Sequence, residues 1–483
     1  MRLGFLTGFM CLAAVAAQAA PEQQYSPDQL RADFTAMYRG LQSGDYDIYA
    51  FTPKVELDRA FDETLASLNK PMTKFEAEIR FEQFAANIHM GHARVDFPYA
   101  VWTQYRKDGG RAFPLAIRII GDKAYVAQNG SGLDAVSPGD EIVTMNGDTM
   151  QAWLARAERH VSAETPYMAG TLLEYDFPIY VWVELGDVPG FDLVLRKADG
   201  RLAKLRVPAR TSAEMKNFAA TQPPALSLDV PMREAKMLDR RVAYLRPGPF
   251  YNADAKTGAD EWDVSGFRDF IDGAFRKFNA AGADALIIDL RGNPGGDNLF
   301  SDVMIAWFAD KPFRFFSQFK VRVSPESTKA NADRIRNDAA AAGPVSQQYA
   351  RMYAGAKNGD VVDFDMAPAQ PRRGERFKGK VFLLIDRQSY SNTVSVAALV
   401  QDYKFGTVLG EATSDMATTY GAMETFSLPN TGIVVGFPKA HIVRPDGDLR
   451  SRGVTPDIAI AIPIVQTPAD EVLQKAVAIA RRD

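Results

Sequence analysis

Ser391 lies at a predicted turn between an apolar strand and a helix, a setting in which a hydroxyl group can act as a nucleophile. The stretch Lys380–Tyr403 (KVFLLIDRQSYSNTVSVAALVQDY) contains an apolar run, a short polar break and a second apolar run. Free N–H groups and the positive end of a helix dipole favour an anion that forms at such a helix start. The nucleophile elbow of hydrolases has this strand–turn–serine–helix order. The alternative is that Ser389 or Ser391 only caps the helix.

A glycine-rich turn is the second candidate element. The apolar run Ala285–Leu290 predicts a buried parallel strand, and Arg291–Asp297 (RGNPGGD) follows it before a predicted helix, Asn298–Ala309. Glycines permit backbone conformations that other residues resist, so N–H groups can point at a developing oxyanion. A phosphate cradle is an alternative, although no P-loop Lys-Ser/Thr pair follows. A plain strand-to-helix turn is the other.

Two of the four histidines, His89 and His92, stand three residues apart at the end of a predicted helix. Zinc ligation would need further ligands, and none is nearby in the sequence. The alternative is a helix C-cap that Gly91 completes. The sequence suggests no metal ion and no organic cofactor.

The composition is that of an ordinary soluble protein with roughly two or three domains. The 483 residues are 46% hydrophobic and 24% charged with a net charge of -4, which argues against a nucleic-acid partner. A short positive start, the apolar run Leu3–Ala16 and Ala17-Gln18-Ala19 predict a signal peptide cleaved after Ala19, and hence a periplasmic or secreted protein. The only cysteine, Cys11, lies in that segment, so cysteine-protease and zinc-thiolate sites are excluded. No later run predicts a stable membrane span.

The elements around these residues divide the chain into predicted regions. Residues 20–100 predict a helical domain, a three-helix bundle with helices near residues 27–41, 54–68 and 73–88. Residues 235–465 alternate strands and helices and predict an α/β core, with an insertion at 312–378 that would form a lid or rim. Residues 466–483 predict a C-terminal helix.

Residues 110–212 have a different character and predict an α+β module. Apolar runs predict strands at Leu115–Ile120, Ala124–Gln128, Glu141–Met145, Ile179–Leu185 and Phe191–Arg196, with a helix near Thr149–Val161. The run Ser137–Gly147 (SPGDEIVTMNG) before that helix resembles the signature of a PDZ domain. PDZ domains bind extended chain termini by strand addition. A clear carboxylate-binding loop is absent from the sequence.

Several motifs together resemble one serine peptidase family, which includes the C-terminal (tail-specific) processing proteases, tricorn core protease and the interphotoreceptor retinoid-binding repeats. They occur in the family's order: LIIDLRGNPGG at 286–296, IDRQSYS at 385–391, QDY at 401–403, GEAT at 410–413 and GVTPD at 453–457. The resemblance implies a crotonase/Clp-like α/β peptidase core with Ser391 as the nucleophile. It also implies an oxyanion hole from the backbone N–H groups of Gly295 or Gly296 and of Asn392. Asp289 and Arg291 would hold the glycine turn.

The chain departs from the tail-specific branch at the general base. Met416 stands where that branch has a lysine, and methionine cannot accept a proton. The tricorn-like branch takes its base from a histidine, and His92 stands at that position with an ordinary pKa near 6.5. Gly91 and Arg450 replace the serine and glutamate that accompany it there. The partner that orients His92 is therefore open, with Asp415, Asp446 and Glu411 as candidates.

The sequence thus predicts an exported serine endopeptidase that cleaves unfolded or extended polypeptides, with Ser391 as nucleophile and His92 as base. Its substrate would be a polypeptide, which a PDZ-like module would read at its C-terminus. The alternative is a catalytically silent relative that binds peptides or apolar ligands. A crotonase-type enzyme is a third interpretation, but it gives no reason for the PDZ-like module. The oligomeric state is open.

Overall fold

The computed structural model describes residues 23–482 except 222–231, 257–259, 338, 466 and 468. The predicted signal peptide, residues 1–19, lies outside the described residues. Over the described part of the chain, no helix combines the length and apolar character that crossing a membrane requires.

The N-terminal part consists mainly of helices whose starts are specified by local capping. Ser26 and Thr73 each form a capping box with the residue three positions later, which fixes the starts of the first and third helices. Apolar side chains of these helices share one core with Val435 and Phe437, from a strand near the end of the chain. The elements are β1 (Gln24–Tyr25), α1 (Pro27–Gly44), α2 (Lys54–Ser67), β2 (Met72–Thr73), α3 (Lys74–Ala86), β3 (Arg94–Val95) and α4 (Tyr99–Lys107).

The second part is an antiparallel sheet with helices packed on it, called here the sheet module. Its strands have the order β4-β5-β6-β8-β9, with β7 beside β6. The elements are β4 (Leu115–Ile120), β5 (Lys123–Asn129), β6 (Glu141–Met145), β7 (Asp148–Thr149), α5 (Met150–Glu158), α6 (Pro166–Leu185), β8 (Gly190–Arg196), β9 (Leu202–Pro208) and α7 (Ser212–Ala219).

The strand predicted at Ile179–Leu185 is wrong, because these residues form the last two turns of α6. Thr165 caps this helix and Pro166 occupies its first turn. The helix is apolar on several sides, and Phe177, Tyr180 and Val181 are all buried. Its sequence therefore lacks the polar face that marks a helix, and its β-branched and aromatic residues favour a strand by propensity alone.

The third part is an α/β core built on a six-stranded sheet. The strand order is β10-β11-β12-β15-β16-β19, and every pair except β10–β11 is parallel. The elements are β10 (Glu234–Met237), β11 (Val242–Arg246), α8 (Ser265–Ala280), β12 (Ala285–Asp289), α9 (Asn298–Ile305), β13 (Gln318–Arg322), α10 (Pro325–Asn337), α11 (Ala339–Ala354), β14 (Val361–Asp363), β15 (Lys380–Ile385), α12 (Asn392–Tyr403), β16 (Thr407–Gly410), β17 (Thr419–Ser427), β18 (Val434–Val443), β19 (Ile458–Ala459) and α13 (Glu471–Arg482).

Both faces of this sheet are covered, which explains the almost continuous apolar character of its central strands. Leu286 and Ile288 of β12 face α8, α9 and α12. The alternate residues, Ala285 and Ile287, face α13 on the other side. The two turns that carry the candidate chemistry therefore leave a rigid, fully buried layer.

The segment 312–378 is part of the fold rather than an independent excursion. Its strands β13 and β14 join β18 and β17 in a second sheet, and β3 from the N-terminal part pairs with β18. This pairing brings the chain just after His92 to the same sheet as the C-terminal half. The sheet thus determines where the histidine lies relative to the core.

Candidate active site

Ser391 occupies a strained turn, and its hydroxyl makes no hydrogen bond to any described residue. Its backbone has φ 52° and ψ −125°, and the residue is half-buried at the N-terminus of α12. Positive φ at a residue other than glycine is sterically costly and is held only by the surrounding structure. The side chain does not cap the helix. The capping alternative is therefore wrong for Ser391, and the free hydroxyl has the geometry of a nucleophile elbow.

Ser389 has the structural role that the turn requires. It is fully buried, and its hydroxyl donates to the carbonyl of Leu290 at 2.8 Å. The same oxygen accepts a hydrogen bond from the backbone N–H of Asp386 at 3.1 Å. Ser389 therefore fastens the elbow to the end of β12.

The glycine turn lies against the elbow because β12 and β15 are parallel neighbours. Turns that follow the carboxyl ends of adjacent parallel strands meet at one edge of the sheet. The backbone N–H of Tyr390 donates to the carbonyl of Asn293 at 3.0 Å, and that of Gly292 donates to Asp386 Oδ1 at 3.0 Å. These bonds hold the two turns in register.

Gly295 lies so close to the elbow that no side chain fits there. Its φ is +92°, and a Cβ atom at this position would lie 2.9 Å from the Cβ of Ser391 and 2.8 Å from the backbone nitrogen of Asn392. Its own N–H donates to Asn293 Oδ1 at 3.0 Å. By contrast, the N–H groups of Gly296 and Asn392 donate to no described residue. Of the predicted donors, Gly296 and Asn392 are thus the free pair.

Asp289 and Arg291 hold the start of the glycine turn. Arg291 contacts Asp289 through 2.9 Å and 2.7 Å hydrogen bonds, and Arg246 and Tyr244 also donate to this carboxylate. Burial acts to raise the pKa of Asp289, but the two guanidinium groups outweigh it and hold the pKa well below its ordinary value. This ion cluster supports the turn and leaves the chemistry to other residues.

His92 is buried beside the elbow. Its ring stacks on Tyr390, the residue before Ser391, with 5.6 Å between ring centroids. Its Nδ1 atom is buried and has no hydrogen-bond partner, and no hydrogen bond joins the ring to Ser391 within the described residues. Burial lowers the pKa of His92 to about 3, and the charge of Arg94 acts in the same direction. The pKa thus lies well below the free value of histidine near 6.5, and the protonated form of the imidazole is disfavoured.

His89 has a different environment. It is exposed, has φ 55°, and its Nδ1 lies 2.9 Å from the hydroxyl of Thr52. Asn87, not Gly91, is the C-cap of α3. In the part of the chain that the structure describes, no group of three His, Cys, Asp or Glu residues could hold a metal ion.

Comparison with known proteins gives the family of this segment. The sequence profile of peptidase family S41 matches residues 244–460, which include both turns. The profile covers less than half of the chain, so the similarity to this family is established for residues 244–460. Serine peptidases of family S41 are therefore what this segment resembles. No curated protein matches the chain at a significant level of sequence similarity.

Solved structures share the architecture of the S41 domain and of the parts before it. The crystal structure of mature CPAF has a TM-score of 0.64 at 15% identity, covering 94% of this chain and 95% of that one. Mature CPAF complexed with lactacystin has a TM-score of 0.63, also at 15% identity, covering 94% and 97%. The photosystem II D1 C-terminal processing protease has a TM-score of 0.44 at 15% identity, covering 90% and 95%. At this identity, the CPAF likeness shows that the fold is shared.

Asp415 fixes the backbone of the S41 elbow. Its Oδ2 accepts the N–H of Ser391 at 2.6 Å, and its Oδ1 accepts the N–H of Met416 at 2.8 Å. Burial raises the pKa of Asp415 to about 6, although these two N–H donors act to lower it. No hydrogen bond joins Asp415 to the buried Nδ1 of His92. Met416 is buried in the core of the sheet module.

The other two candidate partners of His92 are also engaged elsewhere. Glu411 binds Arg387 and Arg118. Asp446 is exposed and lies beside Arg444 at 3.4 Å. Neither makes a hydrogen bond to the histidine.

A buried ion network joins the sheet module to the S41 elbow. Arg387, in the elbow, contacts Glu411 at 2.7 Å and Glu174 of α6 at 3.2 Å, and Arg118 of β4 contacts the same two carboxylates. Glu174 also accepts the N–H of Ile119 at 2.8 Å, while Arg387 donates to the carbonyl of Ile119 at 2.7 Å. The N–H and C=O groups of Ile119, on the edge strand β4, are thus already hydrogen-bonded.

Glu164 is a residue of this site that the sequence did not indicate. Both of its carboxyl oxygens are buried and bond to no other side chain. Burial raises its pKa to about 8, and the nearby charge of Asp415 adds to the shift, while the backbone N–H groups of Glu164 itself and of Gly91 act to lower it. In sequence, Glu164 is simply an acidic residue before the Thr165-Pro166 start of a helix. No local pattern connects it with a histidine 72 residues earlier.

Proposed function

We propose that this protein is an exported serine endopeptidase that cleaves unfolded or extended polypeptides, with Ser391 as nucleophile and His92 as general base. The observation that carries the proposal is the elbow itself: Ser391 is held at positive φ with an unbonded hydroxyl, directly against Gly295. The imidazole of His92 is neutral and stacks on the ring of Tyr390, the residue before Ser391. These groups have the roles that acyl transfer requires.

In the proposed reaction, the Ser391 hydroxyl attacks a peptide carbonyl while His92 accepts its proton. The negative charge that forms on the carbonyl oxygen is stabilised by the N–H groups of Gly296 and Asn392, at the positive end of α12. The bond to the leaving amine then breaks, and His92 returns the proton to that nitrogen. Water hydrolyses the resulting acyl-enzyme by the same steps.

The substrate class follows from the reaction and from the sheet module. A polypeptide must be extended for one of its peptide bonds to reach the half-buried hydroxyl of Ser391, which favours unfolded chains. The PDZ-like interpretation of residues 110–212 would place a chain terminus on a sheet edge. At β4, however, Glu174 and Arg387 already bind the N–H and C=O of Ile119. This edge supports a role for the sheet module in positioning the elbow rather than in reading a C-terminus at Ile119.

Export is proposed from the sequence of residues 1–19 and from the restriction of cysteine to Cys11. Fractionation of cells that produce the full chain would test it. The mature protein should start at residue 20 and lie outside the cytoplasm, and an uncleaved chain in the cytoplasm would contradict export.

A catalytically silent relative that binds peptides or apolar ligands is the second candidate function. Two observations favour it: Met416 occupies the position of the lysine in the tail-specific branch, and no hydrogen bond connects His92 to Ser391. A silent protein would still present the elbow and the glycine turn to an extended chain.

Single-turnover cleavage of an unfolded protein by the mature chain distinguishes the two functions. Wild type is compared with Ser391→Ala and His92→Ala, and a fluorophosphonate probe is followed on the same samples. We expect wild type to cleave and to be labelled at Ser391. Because general bases contribute about 10²–10⁴-fold, His92→Ala should lose cleavage by that factor.

Matched controls separate chemistry from folding. Ser395→Ala changes a half-buried serine one turn along α12, and His89→Ala changes the exposed histidine. Both should cleave as wild type does. Cleavage by Ser391→Ala would show that the nucleophile is wrong. A wild type that neither cleaves nor reacts between mildly acidic and mildly basic pH would establish the binding function instead.

A further inference from the structure

Two buried groups near the elbow bond to no side chain: the Nδ1 atom of His92 and the carboxyl oxygens of Glu164. We infer that Glu164 is the positioning residue for His92: its carboxylate accepts the Nδ1–H of the imidazole and leaves Nε2 to face Ser391. The inference rests on the proposed function and names the partner that the histidine lacks. Nothing in the sequence or in the family comparison assigns a role to Glu164.

The backbone places the two residues together. Ser162 binds Met90 in both directions: its hydroxyl donates to the carbonyl of Met90 at 2.8 Å and accepts the N–H of Met90 at 2.9 Å. Both residues are buried. Each chain continues for two residues from this double bond, one to His92 and the other to Glu164. The sheet module is thus fastened to the strand start that carries the histidine.

Gly91 provides the space in which the two side chains meet. A Cβ atom at this position would lie 3.4 Å from Glu164 Oε2, 3.2 Å from the hydroxyl of Tyr390 and 2.4 Å from the terminal methyl of Met168. The carboxyl group therefore lies against the backbone that immediately precedes His92. The hydroxyl of Tyr390, whose ring stacks on the imidazole, also lies beside Gly91.

The unpaired state of both groups supports a pairing between them. Buried polar atoms in proteins are nearly always hydrogen-bonded, and each exception needs an explanation. Here the unpaired nitrogen of His92 and the carboxyl of Glu164 have complementary chemistry, because an Nδ1–H donates and a carboxylate accepts. Asp415 makes no hydrogen bond to His92, and its two oxygens accept the N–H groups of Ser391 and Met416 instead.

The pairing also remedies the electrostatic problem of His92. Burial and Arg94 both disfavour the imidazolium that must form when the histidine takes the serine proton. A carboxylate on Nδ1 stabilises that cation and fixes the tautomer in which Nε2 is the acceptor. Without such a partner, the neutral ring is a poor base.

A pH dependence follows from the charge of Glu164. Asp415 raises its pKa, the backbone N–H groups of Gly91 and of Glu164 itself lower it, and the hydroxyl of Tyr390 lies nearby. Burial and Asp415 place that pKa at about 8, so the carboxyl is mostly protonated at neutral pH. Only the ionised form stabilises the imidazolium, so the labelling rate at Ser391 should rise as pH increases through that region.

Variants of the mature chain at one position test the role. We expect Glu164→Gln to slow fluorophosphonate labelling and peptide cleavage by about 10²–10⁴-fold and to abolish their rise with pH. Glu164→Asp keeps the charge on a shorter side chain, so it should keep the rise with pH and recover part of the rate. Glu158→Gln, which neutralises an exposed glutamate of the same module, is the matched control and should behave as wild type.

A second readout does not depend on activity. In ¹⁵N-histidine-labelled protein, the ring nitrogens of His92, identified by their loss in His92→Gln, report which nitrogen carries the proton. At a pH above 8, where Glu164 is ionised, wild type should hold the proton on Nδ1, and Glu164→Ala, which removes the acceptor, should lose that preference. An unchanged tautomer in Glu164→Ala overturns the inference, as does a Glu164→Gln enzyme with the rate and pH profile of wild type.

These outcomes separate the inference from the proposed function. If wild type is active through Ser391 and His92 but is insensitive to Glu164, the inference fails and the peptidase stands. If wild type is inactive, the peptidase fails, and the tautomer of His92 in wild type and Glu164→Ala still decides whether the two residues pair.

Discussion

Replacement of Gly295 by alanine should reduce catalysis far more than its effect on folding explains. The new Cβ would lie 2.7 Å from the carbonyl oxygen of Tyr390 and 2.8 Å from the nitrogen of Asn392, roughly 0.6 Å inside an ordinary contact of 3.4 Å. The elbow must therefore move by about that distance. Because misplacements near 1 Å cost about 10²-fold in rate, we expect kcat/KM to fall by ~100-fold, or about 2.7 kcal/mol of activation free energy.

Gly292→Ala is the matched control for Gly295→Ala. Gly292 lies in the same turn at φ +66°, but a Cβ there would meet no atom within 4 Å. Both variants place alanine at positive φ and should lose about 1–2 kcal/mol of unfolding free energy. Only Gly295→Ala also displaces Ser391 and Asn392.

Urea unfolding measures the stability of each variant, and cleavage with fluorophosphonate labelling measures the function of Ser391. Gly292→Ala should keep its activity within about tenfold of wild type. Equal losses of activity in the two alanine variants would refute the reasoning, because strain at positive φ would then account for everything. Full activity in Gly295→Ala would show that the glycine turn is not part of the site.

Three further perturbations follow from other contacts. Ser389→Ala should destabilise the fold by about 1–3 kcal/mol in urea, because it leaves buried partners at Asp386 and Leu290 without their hydrogen bonds; a change within error would contradict this. Glu174→Gln should cost about 3–5 kcal/mol by the same assay, since it leaves Arg118 and Arg387 buried with less negative charge, and the exposed Glu158→Gln should not. Burial acts to raise the pKa of Asp289, but Arg291 and Arg246 hold it well below its ordinary value of 3.8. The ionised carboxylate therefore stabilises the fold at pH values above 3.8, and this contribution is lost as the pH falls below that value. Unfolding free energy measured from pH 5 to 2 should fall less steeply in Asp289→Asn than in wild type.

Local sequence patterns predicted the parts of the site that are local in structure. The strand, turn and helix around Ser391 and the glycine turn after Ala285–Leu290 each follow from residues within one short stretch. The family resemblance then supplied their relation, which the parallel pairing of β12 and β15 explains. Sequence also indicated His92, but not its burial, and so its pKa could not be anticipated.

Features that depend on contacts between distant parts of the chain were missed, because no local sequence pattern encodes such contacts. The helix at Ile179–Leu185 is buried on several sides by the sheet module, so its own residues carry no helical period. In segment 312–378, strand β13 is defined by pairing with β18, more than 100 residues away, and β14 by pairing with β13. Glu164 reaches the site only because Ser162 binds Met90 across the interface between two parts of the chain.

The unfavourable features of this site argue for a working enzyme over a silent relative. Ser391 at positive φ costs of order 1–3 kcal/mol, and each buried group without a hydrogen bond, as on His92 and Glu164, costs about 1–3 kcal/mol. A protein that only bound peptides would gain stability from a glycine at position 391 and apolar side chains at positions 92 and 164. These changes would not require it to lose peptide binding. These costs all fall on residues within reach of one another beside the elbow. Strain and unpaired groups gathered in one place are what a nucleophile, its base and the partner of that base require before substrate arrives.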